Sequence, residues 1–260
     1  MSILDKILEH KKREINQLRK SVPVRDLEKK TLFESNIDSL SGSIMDKKKT
    51  GIIAEFKRKS PSKGILNSFS AVEEVSSGYC IHGASGLSIL TDGEFFGGSN
   101  QDLMSARMNS TIPILRKDFI IDEYQVIESK SIGADAILLI AAALDKNTIL
   151  NLSGLARSLG MEVLLEIHEQ HELDRINQYI NIIGVNNRNL RTFEVNTINS
   201  EMLAEKISSA FIKISESGIS SSQMIRKLKS VGYDGFLIGE KFMSTSDPVK
   251  AFFDFVKDLN

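Results

Sequence analysis

From Gly51 to Gly239 the chain alternates between short runs of apolar β-formers and longer stretches with helical spacing. Strands are expected at 51–57, 86–91, 112–116, 135–140, 161–166, 180–186, 211–216 and 234–239. Helical stretches lie between them at Ala71–Tyr79, Glu123–Ile132, Asn147–Leu159, Gln170–Gln178, Asn199–Ile207 and Ser222–Val231. Runs that are apolar on both faces fit parallel strands covered by helices. Eight such units in about 210 residues match the count and size of a (β/α)8, or TIM, barrel. An open doubly wound sheet is the alternative, but no Gly-rich dinucleotide fingerprint follows the first strand.

Ahead of this pattern, Ile3, Leu4, Ile7, Leu8, Ile15 and Leu18 form one stripe of an amphipathic helix over 2–20, with Ser2 as its N-cap. Acidic residues are interleaved with its basic ones, which favours packing on the protein over a membrane surface. Val22–Lys49 is less regular and ends in the polar stretch Ser39–Thr50. Residues 1–260 are therefore read as one barrel domain, with 1–50 as an N-terminal helical extension.

Composition narrows the function. The 260 residues carry a formal net charge of -1, so no basic excess argues for nucleic acid. The longest apolar runs fall short of a membrane span and the N-terminus lacks a signal-peptide core, so the expected location is cytoplasmic. The single cysteine, Cys80, excludes an internal disulfide framework and reads as a packed small side chain. No exposed apolar strand or heptad seam is evident, and a monomer is expected.

In this fold the chemistry sits at the carboxyl ends of the strands. Those ends carry Glu55 and Lys57, Thr91 and Asp92, Arg116, Lys117 and Asp118, Glu166 and His168, Asn186 and Arg188, Glu216 and Ser217, and Gly239 and Glu240. Glu55 and Lys57, two residues apart, share one face of an otherwise apolar strand, an arrangement that is costly to bury outside a functional pocket or a structural ion pair. The turns at Glu216–Ser220 and Ile238–Lys241 contain glycines that let backbone N–H groups approach an anion, and this pair of loops often binds phosphate. Lys57, Lys117 and Arg188 suit a substrate with more than one negative group. The four histidines, His10, His82, His168 and His171, lack the constellation of a zinc site, and no Ser-His-Asp order stands out. Acid–base work by lysines and glutamates is the chemistry that remains.

Several segments together resemble the indole-3-glycerol-phosphate synthase family: EFKRKSPSKG, SILTD with FFGGS at Ser88–Ser99, PILRKDFIID at Pro113–Asp122, LLEIH at Leu164–His168, GVNNRNL at Gly184–Leu190, SESGI at Ser215–Ile219 and LIGE at Leu237–Glu240. The resemblance covers nearly the whole chain, including the amphipathic helix that the family places before its barrel. It implies conversion of 1-(2-carboxyphenylamino)-1-deoxyribulose 5-phosphate to indole-3-glycerol phosphate, with loss of carbon dioxide and water and without a cofactor. Lys117 would correspond to the acid that protonates the substrate carbonyl, and Glu166 to the general base. Lys57 would pair with the substrate's anionic groups, and either Lys57 or Lys117 would serve as the acid in dehydration. Glu55, Ser60 and Asn186 would fill supporting polar positions, while Arg188, Glu216, Ser217, Gly218, Gly239 and Glu240 would bind substrate and its phosphate.

On this reading Lys57 and Arg116 are expected to lower the pKa of Lys117 toward neutrality, as suits a lysine acid. Phe56 and Lys59 depart from the family pattern, and Glu240 occupies a variable position. The length leaves no room for the second barrel of fused forms, so a monofunctional enzyme is expected. The rivals are a non-catalytic phosphate-binding barrel and another barrel of the tryptophan pathway such as phosphoribosylanthranilate isomerase. The isomerase uses a Cys/Asp pair, whereas Cys80 falls in a helical stretch.

Overall fold

The computed structural model describes residues 2–189 and 192–259, so that Leu190, the last residue of the GVNNRNL segment, lies outside the described residues. Its eight long strands are β1 Ile52–Phe56, β2 Gly86–Leu90, β3 Ile114–Lys117, β4 Ala136–Ile140, β5 Glu162–Ile167, β6 Ile182–Asn186, β7 Ile212–Glu216 and β8 Gly235–Ile238. Each pairs in parallel with its neighbours, and β1 closes on β8 to complete a barrel. The expected barrel is therefore the observed one.

Alternation along each strand sorts the side chains into two layers. Ile52, Ala54 and Phe56 join the apolar layer between sheet and helices, while Ile53 belongs to the barrel interior with Leu115, Leu138, Leu164, Ile182, Ile214 and Leu237. Helix Leu40–Met45, within the stretch expected to be irregular, adds Leu40 and Ile44 to that inner cluster. The interior is thus packed with apolar side chains, and charged groups on the inner face are confined to the strand ends.

Helix α1, Ile3–Ser21, starts with a capping box in which the Ser2 hydroxyl accepts from Asp5 N–H and the Asp5 carboxylate accepts from Ser2 N–H. Lys11 is buried in the middle of its apolar stripe. Its ammonium lies 3.0 Å from Asp92, 2.9 Å from Asp118 and 2.8 Å from Glu14. Asp92 follows β2 and Asp118 follows β3, so one buried lysine ties α1 to two strand ends.

Sequence spacing missed helices Asn100–Met108 and Pro248–Lys257 and the short turns Gly93–Phe96 and Glu240–Met243. The expected helix at Gln170–Gln178 is a 3-10 segment, Gln170–Arg175, and the loop after β1 contains a two-stranded ribbon pairing Lys59–Ser60 with Gly64–Ile65. Among the described residues no helix is long and apolar enough to cross a membrane.

Candidate active site

The inward positions at the carboxyl ends of β1, β3, β5 and β7 are Glu55, Lys117, Glu166 and Glu216. Alternate strands fill successive layers of such a barrel, so these four groups face one another across its mouth. The Lys117 ammonium stands 2.6 Å from Glu216 Oε2 and 2.9 Å from Glu166 Oε2. Lys57 Nζ lies 2.6 Å from Glu55 Oε1, as their shared strand face requires, and the Ser88 hydroxyl donates to the other Glu55 oxygen at 3.4 Å.

Burial and charge set the protonation of this cluster. Burial alone would lower the Lys117 pKa, but Glu166, Glu216 and Glu55 outweigh it and raise it. Burial alone would raise the Glu166 carboxyl, yet Lys117 and His168 hold it at about 2. Glu216 goes the other way. Burial pushes it up to about 7, helped by the repulsion of Glu166 and opposed by the attraction of Lys117.

The expected lowering of Lys117 is therefore corrected to a raising, and the cause is directional. Arg116 and Lys117 are consecutive on β3 and point to opposite faces. The Arg116 guanidinium is buried outside the barrel, 3.2 Å from Asp118 and 2.7 Å from Glu128, and faces away from the mouth. The cation counted as a neighbour of Lys117 is spent on structure, and carboxylates surround the lysine instead.

A cavity of about 620 Å³ opens over this cluster and is lined by all twelve site residues expected from sequence: Glu55, Lys57, Ser60, Lys117, Glu166, Asn186, Arg188, Glu216, Ser217, Gly218, Gly239 and Glu240. Its other wall was missed. Ile3, Leu4 and Ile7 of α1 meet Leu90, Phe96, Phe119, Leu138 and Ile140 to form an apolar side. These residues come together only when α1 docks over the barrel mouth, which no local spacing reveals.

The opposite side is polar. Ser217 and Gly218 are both left-handed, with φ of 66° and 77°, an arrangement of successive N–H groups suited to an anion. Asn187, also missed, braces this turn. Its amide donates to Ser215 Oγ, Glu216 O and Ser217 O at 3.0, 3.0 and 3.1 Å. Arg188 reaches across to Glu240 at 2.9 Å and donates to the Ser62 hydroxyl at 3.4 Å. Cys80 lies far along helix Val72–Ile81, beside Thr111, and is absent from the cavity wall.

The profile of the indole-3-glycerol phosphate synthase family matches residues 4–255. The chain belongs to that family. An indole-3-glycerol phosphate synthase of Bacteroides thetaiotaomicron is 44% identical over 257 residues, covering 99% of this chain and 98% of that protein. Another from Polaromonas sp. is 41% identical over 251 residues, covering 95% of each. Indole-3-glycerol phosphate synthase is a carboxy-lyase of tryptophan biosynthesis, and this chain is an enzyme of that kind.

Solved structures agree on the fold at far lower identity. Tryptophan synthase subunit alpha from Legionella pneumophila superposes with a TM-score of 0.62 at 13% identity, covering 86% of this chain and 97% of that one. Thiamine phosphate pyrophosphorylase from Pyrococcus furiosus gives 0.61 at 13% identity, covering 85% and 98%. The indole-3-glycerol phosphate synthase assignment thus rests on sequence relatives, and the barrel is shared more widely.

Proposed function

We propose that this barrel closes the indole ring of 1-(2-carboxyphenylamino)-1-deoxyribulose 5-phosphate with Lys117 as acid and Glu166 as base. The observation that carries the reading is the single ammonium held by two buried carboxylates between an apolar wall and an anion-binding turn. The carboxyphenyl ring rests against Ile7, Phe96, Phe119 and Ile140, and the phosphate takes the N–H groups at Ser217 and Gly218 together with Arg188. Ser60 and Gly239 complete that end, and Glu240 holds Arg188 until the phosphate arrives. Asn186 bonds to Glu166 and holds the carboxylate in place.

In the first step the ring carbon bearing the carboxylate attacks the substrate carbonyl carbon, and Lys117 gives its proton to the carbonyl oxygen. A raised lysine pKa is compatible with this transfer, because the oxygen gains basicity as it becomes an alkoxide. The bond to the carboxylate then breaks, carbon dioxide leaves and its electron pair restores the aromatic ring. In dehydration Lys57 protonates the departing hydroxyl, and Glu166 takes the proton from the adjacent carbon, forming the indole double bond. Glu55 holds Lys57 aimed between steps.

A monomer taking only this phosphorylated small molecule, without nucleic acid or membrane partners and located in the cytoplasm, completes the proposal. The formal net charge of -1 supports the lack of a nucleic-acid partner, and the family's place in tryptophan biosynthesis supports the location. The test is stoichiometry. Purified protein should release one carbon dioxide per indole-3-glycerol phosphate formed from the named substrate. Carbon dioxide or product alone, or neither, would reject the reaction sequence.

A further inference from the structure

His168 is a half-buried imidazole, with both ring nitrogens shielded, that the mechanism above does not use. It follows Glu166 by two residues, so both leave β5 on the same side. Among the described residues neither ring nitrogen has a hydrogen-bond partner, and both are shielded from solvent. A carboxylate faces each one. Glu166 Oε1 lies 3.6 Å from Nε2, and Glu172 Oε2 lies 4.0 Å from Nδ1. Buried polar atoms rarely go unpaired without a reason, and 3.6 Å is just beyond a hydrogen bond.

The surroundings show which partner can move. Glu172 is fixed, since its Oε2 accepts from the backbone N–H of His168 at 2.6 Å and of Glu169 at 3.1 Å. The backbone of His168 is fixed as well, because Asn199 donates to its carbonyl at 3.0 Å. The other titratable side chains nearby, Glu169 and His171, face each other at the exposed surface at 3.3 Å. Glu166 is tied by Oε2 to Lys117 and also bonds to Asn186, while Oε1 faces the imidazole across a gap that a turn of the His168 ring can close.

Lys117 is the compensating charge for Glu166, and on the proposed reaction it gives its proton away before Glu166 acts. A carboxylate buried this deeply would then be drawn toward protonation and lost as a base. We infer that His168 is a positioning residue for Glu166, whose Nε2–H closes the 3.6 Å gap to Oε1 as Lys117 discharges and so keeps the base ionised and aimed until dehydration. The inference rests on the reading of Glu166 as the base.

The experiment compares wild type, His168→Leu, His168→Gln and Glu166→Gln in single-turnover and steady-state assays with 1-(2-carboxyphenylamino)-1-deoxyribulose 5-phosphate, with melting followed by circular dichroism. Leucine fills the space without a donor, whereas the glutamine amide places an N–H near the position of Nε2. The expected result is a single-turnover rate reduced about tenfold in the leucine variant with KM changed less than about twofold, and most of that rate restored by glutamine. Equal losses in both His168 variants, a loss carried by KM, or no loss in a folded leucine variant would overturn the inference. Full turnover in Glu166→Gln would instead overturn the assignment of the base, which makes the two failures separable.

Discussion

Glu216 lies directly over Gly184 on the neighbouring strand, so that a Cβ at position 184 would fall 2.1 Å from Glu216 Oε1. The glycine of GVNNRN is thus the space into which the second carboxylate of Lys117 fits. Gly184→Ala is expected to keep the barrel by circular dichroism while displacing Glu216 and lowering kcat about a hundredfold, the scale of a 1 Å misplacement at the chemistry. Wild-type kcat in the alanine variant would show that Glu216 has no part in holding Lys117.

Lys11 carries a structural prediction. Its pKa is raised because Asp118, Asp92 and Glu14 together outweigh the burial that would lower it. Lys11→Met keeps the length of the side chain but leaves Asp92 and Asp118 without their shared cation. Breaking a buried pair from one side costs about 3 kcal/mol or more. Urea unfolding should show a loss of that order, and KM should rise because α1 supplies Ile3, Leu4 and Ile7 to the cavity. An unchanged unfolding midpoint would contradict the anchoring role.

Stability should depend on pH through Glu216. Its folded pKa of about 7 lies above the ordinary 4.5, so the folded state binds this proton more tightly than the unfolded state. Its contribution is full below 4.5 and is lost as pH rises through about 7. Glu216→Gln has no such loss. Relative to wild type the variant should therefore gain about 1–3 kcal/mol between pH 5 and pH 8, read from denaturant unfolding at both values. A gap that stays constant would mean that Glu216 titrates alike in both states.

Glu240 lies 2.9 Å from Arg188, and on the proposed reading an incoming phosphate competes with it. Partly exposed ion pairs contribute about 0.2–1 kcal/mol, so Glu240→Gln should lower KM up to about fivefold with kcat unchanged. A higher KM would instead make Glu240 a direct ligand of the substrate.

Much of this was legible in the sequence because strand periodicity is local. Charged residues at the ends of apolar runs marked Glu55, Lys117, Glu166 and Glu216, and period two placed Glu55 beside Lys57. The same rule separates Arg116 from Lys117, and applying it there would have turned Arg116 outward from the start. Lys11 also left a signal, since it interrupts the apolar stripe of α1 between Ile7 and Ile15. Helix Asn100–Met108 is polar enough to read as loop, yet Ser99 caps it and Leu103 and Ala106 are buried on its inner face. The apolar cavity wall and the bracing by Asn187 arise where distant segments meet, and neither has a local pattern.

If Lys117 and Glu166 carry out the reaction, the absence of tryptophan from the chain gives a direct way to see it. Indole fluorescence from the product can be followed against a dark protein background for wild type, Lys117→Ala and Glu166→Gln. Emission should grow with wild type and stay near baseline for both folded variants. Comparable growth in either variant would contradict the role given to that residue.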